Sequence, residues 1–126
     1  MKQSGNLIVD KSKCFVIRII RLYQHLKKEQ NEFVISKQLL RSGTSIGANV
    51  KEGIRAQSSK DFRSKMNIAL KEASETEYWL ELLYETEYID QKQYDSIQND
   101  CIELIKILTS ILVTSQNNLE NKETEV

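Results

Sequence analysis

The sequence predicts an all-α protein, an antiparallel up-down-up-down four-helix bundle. Three observations carry this. The 126 residues include no proline and only 4 glycines, so little interrupts a helix and little supplies strand turns. Apolar residues recur at every third or fourth position in four separate stretches. Short polar breaks join these stretches, and short connections make consecutive helices antiparallel neighbours. A pair of heptad-patterned hairpins that dimerises would satisfy the same pattern. With 40% hydrophobic residues the chain can bury the core of one domain.

The first helix is expected over about 11–28, starting after Asp10. Phe15, Ile19, Leu22 and Leu26 follow 4-3-4 spacing and form one stripe. The second is expected over about 37–55, with Ser36 as N-cap and Ile35 stapled to Leu40. Its stripe is Leu39, Gly43, Ile46, Val50 and Gly53. Gly43, Gly47 and Gly53 each cost about 1 kcal/mol relative to alanine inside a helix. Close helix–helix approach is the expected compensation, with a hinge as the other reading. The charged neighbours Arg41, Lys51 and Glu52 argue against a membrane role for the Gly43–Gly47 spacing.

The third helix is expected over about 59–88, capped near Ser58 or Ser59, with Asp61 favoured in its first turn. Phe62, Met66, Ala69, Ala73, Thr76, Leu80 and Leu83 step by 4 or 3 throughout, as in a bundle seam. The fourth is expected over about 91–115. Asp90 and Gln93 form a capping box, and Ile89 can staple to Tyr94. Ile97, Cys101, Leu104, Leu108 and Ile111 make its stripe. The bundle is expected to occupy residues 1–118, with 119–126 a frayed or disordered tail.

Lys+Arg and Asp+Glu both total 18, which excludes a uniformly basic protein. The balance hides a division. Residues 1–71 hold 15 basic and 5 acidic side chains, and residues 72–126 hold 3 and 13. Basic and acidic helices can compensate each other inside one bundle. Alternatively, the basic part of one copy can dock on the acidic part of the next, closing a ring or growing a fibre. No apolar run approaches the roughly 20 residues of a bilayer span. The start lacks a signal-peptide apolar region, so a cytoplasmic location is expected.

Catalytic and metal chemistry find little support, and no enzyme activity or cofactor is expected. His25 lies among Gln24, Lys27 and Lys28 with no carboxylate or nucleophile signalled beside it. Cys14 and Cys101 fall on or beside apolar stripes, which suits buried, inert thiols. A bundle-type di-iron site needs Glu-x-x-His on two helices, and there is one histidine. Nucleic-acid contact is a real alternative. Lys51, Arg55, Lys60, Arg63 and Lys65 gather around the second connection, and Lys37 and Arg41 extend the charge along the second helix; Arg41, Lys51, Arg55, Lys60 and Arg63 are candidate phosphate contacts, though no base-stacking aromatics interleave with them. Tyr78, Trp79, Tyr84 and Tyr88 cluster late in the third helix, where Trp79 and Leu82 fall partly outside its stripe; Tyr78, Trp79 and Tyr84 are candidate interface anchors. Burial within their own chain is the competing reading.

Three segments resemble a known family: Arg41-Ser42-Gly43-Thr44-Ser45-Ile46-Gly47-Ala48-Asn49-Val50-Lys51-Glu52-Gly53, Ser59-Lys60-Asp61-Phe62, and Ala69-Leu70-Lys71-Glu72-Ala73-Ser74-Glu75-Thr76-Glu77-Tyr78-Trp79-Leu80. They look like the bacterial 23S rRNA intervening-sequence proteins over roughly residues 8–115. Valine at position 50 stands where the family pattern carries isoleucine. The resemblance implies an antiparallel four-helix bundle assembled as a homopentameric ring. The chain is also similar to the accessory protein of diversity-generating retroelements, which implies binding to nucleic acid and to a protein partner. The expected function is thus a non-enzymatic, ring-forming scaffold, with RNA or DNA binding through a basic face as the alternative.

Overall fold

The structure, a computed structural model, describes residues 4–124, with side chains described to residue 121. Four helices follow in order: α1 (Leu7–Gln30), α2 (Ile35–Ile54), α3 (Ser59–Glu85) and α4 (Gln91–Thr124). The described residues contain no strand. Neighbours touch in the cycle α1–α2–α3–α4–α1, and the α1–α4 side is the least extensive. Cross-helix contacts fix the directions. Arg18 meets Asp100 while Lys11 meets Glu103, so α1 and α4 run oppositely. The four-helix bundle expected from the periodicity is the fold observed.

The predicted stripes are the core. Phe15, Ile19 and Leu26 of α1 meet Leu39, Ile46 and Val50 of α2. Met66, Ala69, Ala73, Leu80 and Leu83 come from α3, and Ile97, Cys101, Leu104 and Leu108 from α4. Most of these side chains are essentially inaccessible to water. Burying a large aliphatic side chain is worth about 1.5–3 kcal/mol, so the four stripes supply the main driving force.

The ends of the helices follow local chemistry, and several differ from expectation. α1 begins at Leu7, four residues before the expected start. Asn6 is its N-cap and accepts from the Val9 N–H. Asp10 instead accepts from the Ser4 amide and hydroxyl. α2 begins at Ile35, and Ser36 is not its cap. The Glu32 carboxylate does that work, accepting from the N–H groups of Val34, Ile35 and Ser36. Glu32 is only 7% exposed and sits at the positive end of the α2 dipole. Sequence reasoning missed it because cap preference ranks Ser above Glu, and Glu32 lies three residues ahead of the helix.

Ser58 caps α3 as expected, accepting from the Asp61 N–H. α3 stops at Glu85, short of the expected 88. Glu87 takes φ +70°, and the Tyr88 N–H closes on the Leu83 carbonyl. That is the hydrogen-bond pattern of a left-handed helix stop. Asp90 and Gln93 exchange the two bonds of the expected capping box, at 2.9 and 2.8 Å. α4 continues to Thr124, past both the expected end near 115 and the start of the expected tail. Residues 125–126 of that tail lie outside the described residues.

All three helical glycines lie against a neighbouring helix. A Cβ on Gly43 would stand 2.7 Å from Ile19 Cγ2, and one on Gly47 would stand 2.9 Å from Val16 Cγ2. At Gly53 the obstacle is Met66 Cε, 2.8 Å away. Ile19 is fully buried, whereas Val16 is half-buried and freer to give way. Gly43→Ala is therefore expected to destabilise by about 1–3 kcal/mol through overpacking. Gly47→Ala is expected to cost less, because the gain in helix propensity, about 1 kcal/mol, offsets a softer clash. Urea unfolding of the two variants checks the order.

Candidate functional site

The basic residues around the second connection separate into two groups. Arg41 is committed internally. From α2 its guanidinium reaches Glu72 at 3.1 Å and also bonds Glu75, both on α3. This removes Arg41 from the expected phosphate contacts. Glu72 is nearly buried, so the pair is more than a rim contact. Glu75 also accepts from the Trp79 indole N–H at 3.2 Å. Beneath this network the Ser42 and Thr76 hydroxyls lie 2.8 Å apart in the core, with Thr76 also bonded to the Glu72 carbonyl.

Lys51, Arg55, Lys60 and Arg63 lie along the end of α2, the connection and the start of α3. None of the four has a salt-bridge partner among the described residues. Arg63 faces a hollow of about 950 Å³ between this turn and the late turns of α4, reached also by Ser58 and Asn118. Lys65, two residues on, pairs with Glu52 at 3.2 Å. Lys51 and Arg55 instead border a groove of about 660 Å³ on the outer side of the α1–α2 seam. Gly47 forms part of its lining, alongside Val16.

The three aromatics divide as well. Tyr84 stacks on Tyr94 of α4, with centroids 4.4 Å apart and planes within 7°. Trp79 packs against the core and is tied to Glu75, so these two serve their own chain. Tyr78 is 53% exposed. The sequence did not separate these three, because the seam on which each falls depends on how α2 and α4 flank α3.

The thiols also divide. Cys101 is buried and faces the Ala73 carbonyl at 3.3 Å. Burial pushes its pKa up to about 12, with the Glu77 and Asp100 charges adding to the effect. Cys14 is exposed, contrary to the buried site expected for it. Among the described residues no three His, Cys, Asp or Glu side chains gather as a metal site, and no helix is long and apolar enough to cross a membrane.

A family model for the 23S rRNA-intervening sequence protein matches residues 5–110. The chain belongs to this family. A crystal structure of a protein with unknown function from the S23 ribosomal protein family of Bacteroides thetaiotaomicron is similar. It is 62% identical, with a TM-score of 0.82, covering 83% of this chain and 97% of that one. No curated protein matches the chain. The segments that carry the family pattern turn out to build the α2 seams. Arg41 pairs with Glu72 and Glu75, Ser42 with Thr76, and the glycines with Ile19, Val16 and Met66. Asn49 donates back to the Ser45 carbonyl at 2.8 Å.

Two outcomes follow from these geometries. The Arg41 hydrogen bond holds the Glu75 carboxyl below its ordinary value. The stabilisation is present above the ordinary carboxylate range and is lost as the pH falls through the lowered value. Arg41→Met is therefore expected to raise the midpoint of acid unfolding, read by circular dichroism. The Cys101 shift has the opposite sign. Stability is intact below about pH 9, the ordinary thiol value, and declines as the pH rises toward 12. At pH 8 iodoacetamide is expected to alkylate Cys14 in the folded protein and to reach Cys101 only after unfolding, as peptide mass spectrometry would show.

Proposed function

We propose that the chain is a non-enzymatic, self-assembling scaffold of the cytoplasm, in which basic surface on one copy meets acidic surface on the next. The carrying observation is the set of charges left after internal pairing. Lys11, Arg18, Arg41 and Lys65 are absorbed by Glu103, Asp100, Glu72, Glu75 and Glu52 across the helix seams. Lys51, Arg55, Lys60 and Arg63 remain at one connection. Glu77, Glu81 and Glu85 remain along the second half of α3 without an ion-pair partner among the described residues. Opposite signs displaced from each other on one subunit favour head-to-tail contact, and a closing rotation makes a ring. The resemblance to the intervening-sequence proteins makes five subunits the proposed number. The absence of catalysis belongs to the same reading, supported by a buried thiol that stays protonated near neutral pH and a lone histidine at position 25.

A second reading rests on the same four cations. Their clustering without carboxylate partners suits phosphate contact, and the similarity to the retroelement accessory protein favours RNA or DNA as the ligand. Sedimentation velocity at micromolar concentration tests the first reading. A mass several times 14.6 kDa is expected, falling as salt is raised, and a monomer refutes assembly. Filter binding to a structured RNA tests the second. Contact through these cations requires affinity to fall steeply with salt, and absence of binding removes it.

A further inference from the structure

The outer groove between α1 and α2 has a definite composition. Val16 and Ile17 form one wall, Ala48 and Ile54 the other. Gly47 contributes bare backbone to its lining, beside Val16. Lys13 rims it from α1, and Lys51 and Arg55 rim it from α2. All three are exposed and have no salt-bridge partner among the described residues. An apolar trough edged by three cations without salt-bridge partners fits an occupant with an apolar ridge flanked by carboxylates.

Such a ridge exists on the same molecule, on a different face. Ser74, Tyr78, Glu81 and Glu85 are the exposed positions along the second half of α3 and step by 4, 3 and 4, so they form one outward stripe. Tyr78 is its exposed aromatic. Leu82 is half-buried beside it, and Glu77 flanks it. Glu81 and Glu85 are one helical turn apart, as are Lys51 and Arg55, so a parallel crossing brings the two carboxylates opposite the two cations and Tyr78 level with Ala48 and Gly47. The stripe and the groove share no residue. One subunit can therefore offer its groove to one neighbour and its stripe to another.

We propose that the α1–α2 groove of one copy receives the Tyr78–Glu81–Glu85 stripe of a second copy's α3. This rests on the self-assembly reading and specifies which faces meet. Tyr78 enters the apolar trough over Gly47, and the carboxylates settle on the Lys51 and Arg55 rim. The contact is heterologous, so each added copy presents a fresh groove and a fresh stripe.

Charge reversal tests it. Lys51→Glu with Arg55→Glu, and separately Glu81→Lys with Glu85→Lys, are exposed changes. Each pair is expected to weaken assembly at least tenfold in sedimentation velocity with helicity unchanged. All four together rebuild the complementarity with signs exchanged, and the assembled mass is expected to return. Ala48→Arg, which fills the trough, and Tyr78→Ser are expected to weaken assembly as well, and they decide the matter if a charge-reversed chain fails to fold. An unchanged mass in the double variants, or no recovery in the fourfold variant, overturns this pairing and leaves the oligomer standing on other faces. Loss of RNA binding in Lys51→Glu with Arg55→Glu at unchanged mass also overturns it and assigns the rim to nucleic acid. A monomeric wild-type protein removes the self-assembly reading itself.

Discussion

The bundle's geometry rests on what α2 lacks. At Gly43, Gly47 and Gly53 it carries no side chain, and at each place a neighbour occupies the vacated volume: Ile19, Val16 and Met66. Axis separation between packed helices is set by the side chains between them, so glycines draw α1 and α3 close to α2. The glycines weaken α2 as an isolated helix by about 1 kcal/mol each. The close approach lets Ile19 and Met66, both fully buried, seat fully against the core. Gly47 and Val16, in contact there, also line the groove on the outer side of the seam. One sequence feature thus consolidates the interior and shapes the surface.

Charge is organised on top of that packing. Basic α1 and α2 lie beside acidic α4 and the mixed α3, and the salt bridges cross the α1–α4 and α2–α3 seams. The half-exposed pairs across the α1–α4 seam and Lys65–Glu52 add about 0–1 kcal/mol each, with Glu72 more shielded. Their consequence is mainly positional, because they neutralise one set of charges and leave the others apart. The cations at the α2–α3 connection and the carboxylates of late α3 are the remainder. Function is proposed from this remainder, since fold alone does not specify it.

The family pattern itself reads as packing chemistry. Arg41, Ser42, Gly43, Gly47 and Gly53 face α3 or α1, and their partners include Glu72, Glu75 and Thr76. These residues hold two helices in register by a buried hydroxyl pair, a guanidinium fork and backbone contact. A motif of this kind identifies the architecture strongly and says little about a ligand. Lys51 lies within the same segment but points to solvent, and only such outward positions are free to act on a partner.

The sequence by itself determined the four helices, their core stripes, the Ser58 and Asp90–Gln93 caps, and the division of charge. Each is local, arising from spacing within one helix or hydrogen bonds over three residues. Tertiary structure decided the rest. Arg41 meets Glu72 across 31 positions and Arg18 meets Asp100 across 82. Those pairings determined which cations stayed available. The Tyr84–Tyr94 stack, the exposure of Cys14 and the groove over Gly47 depend equally on how helices flank one another. Periodicity gives the inward direction of a single helix. It does not say which neighbour stands on either side, and that placement separates a spent charge from an available one.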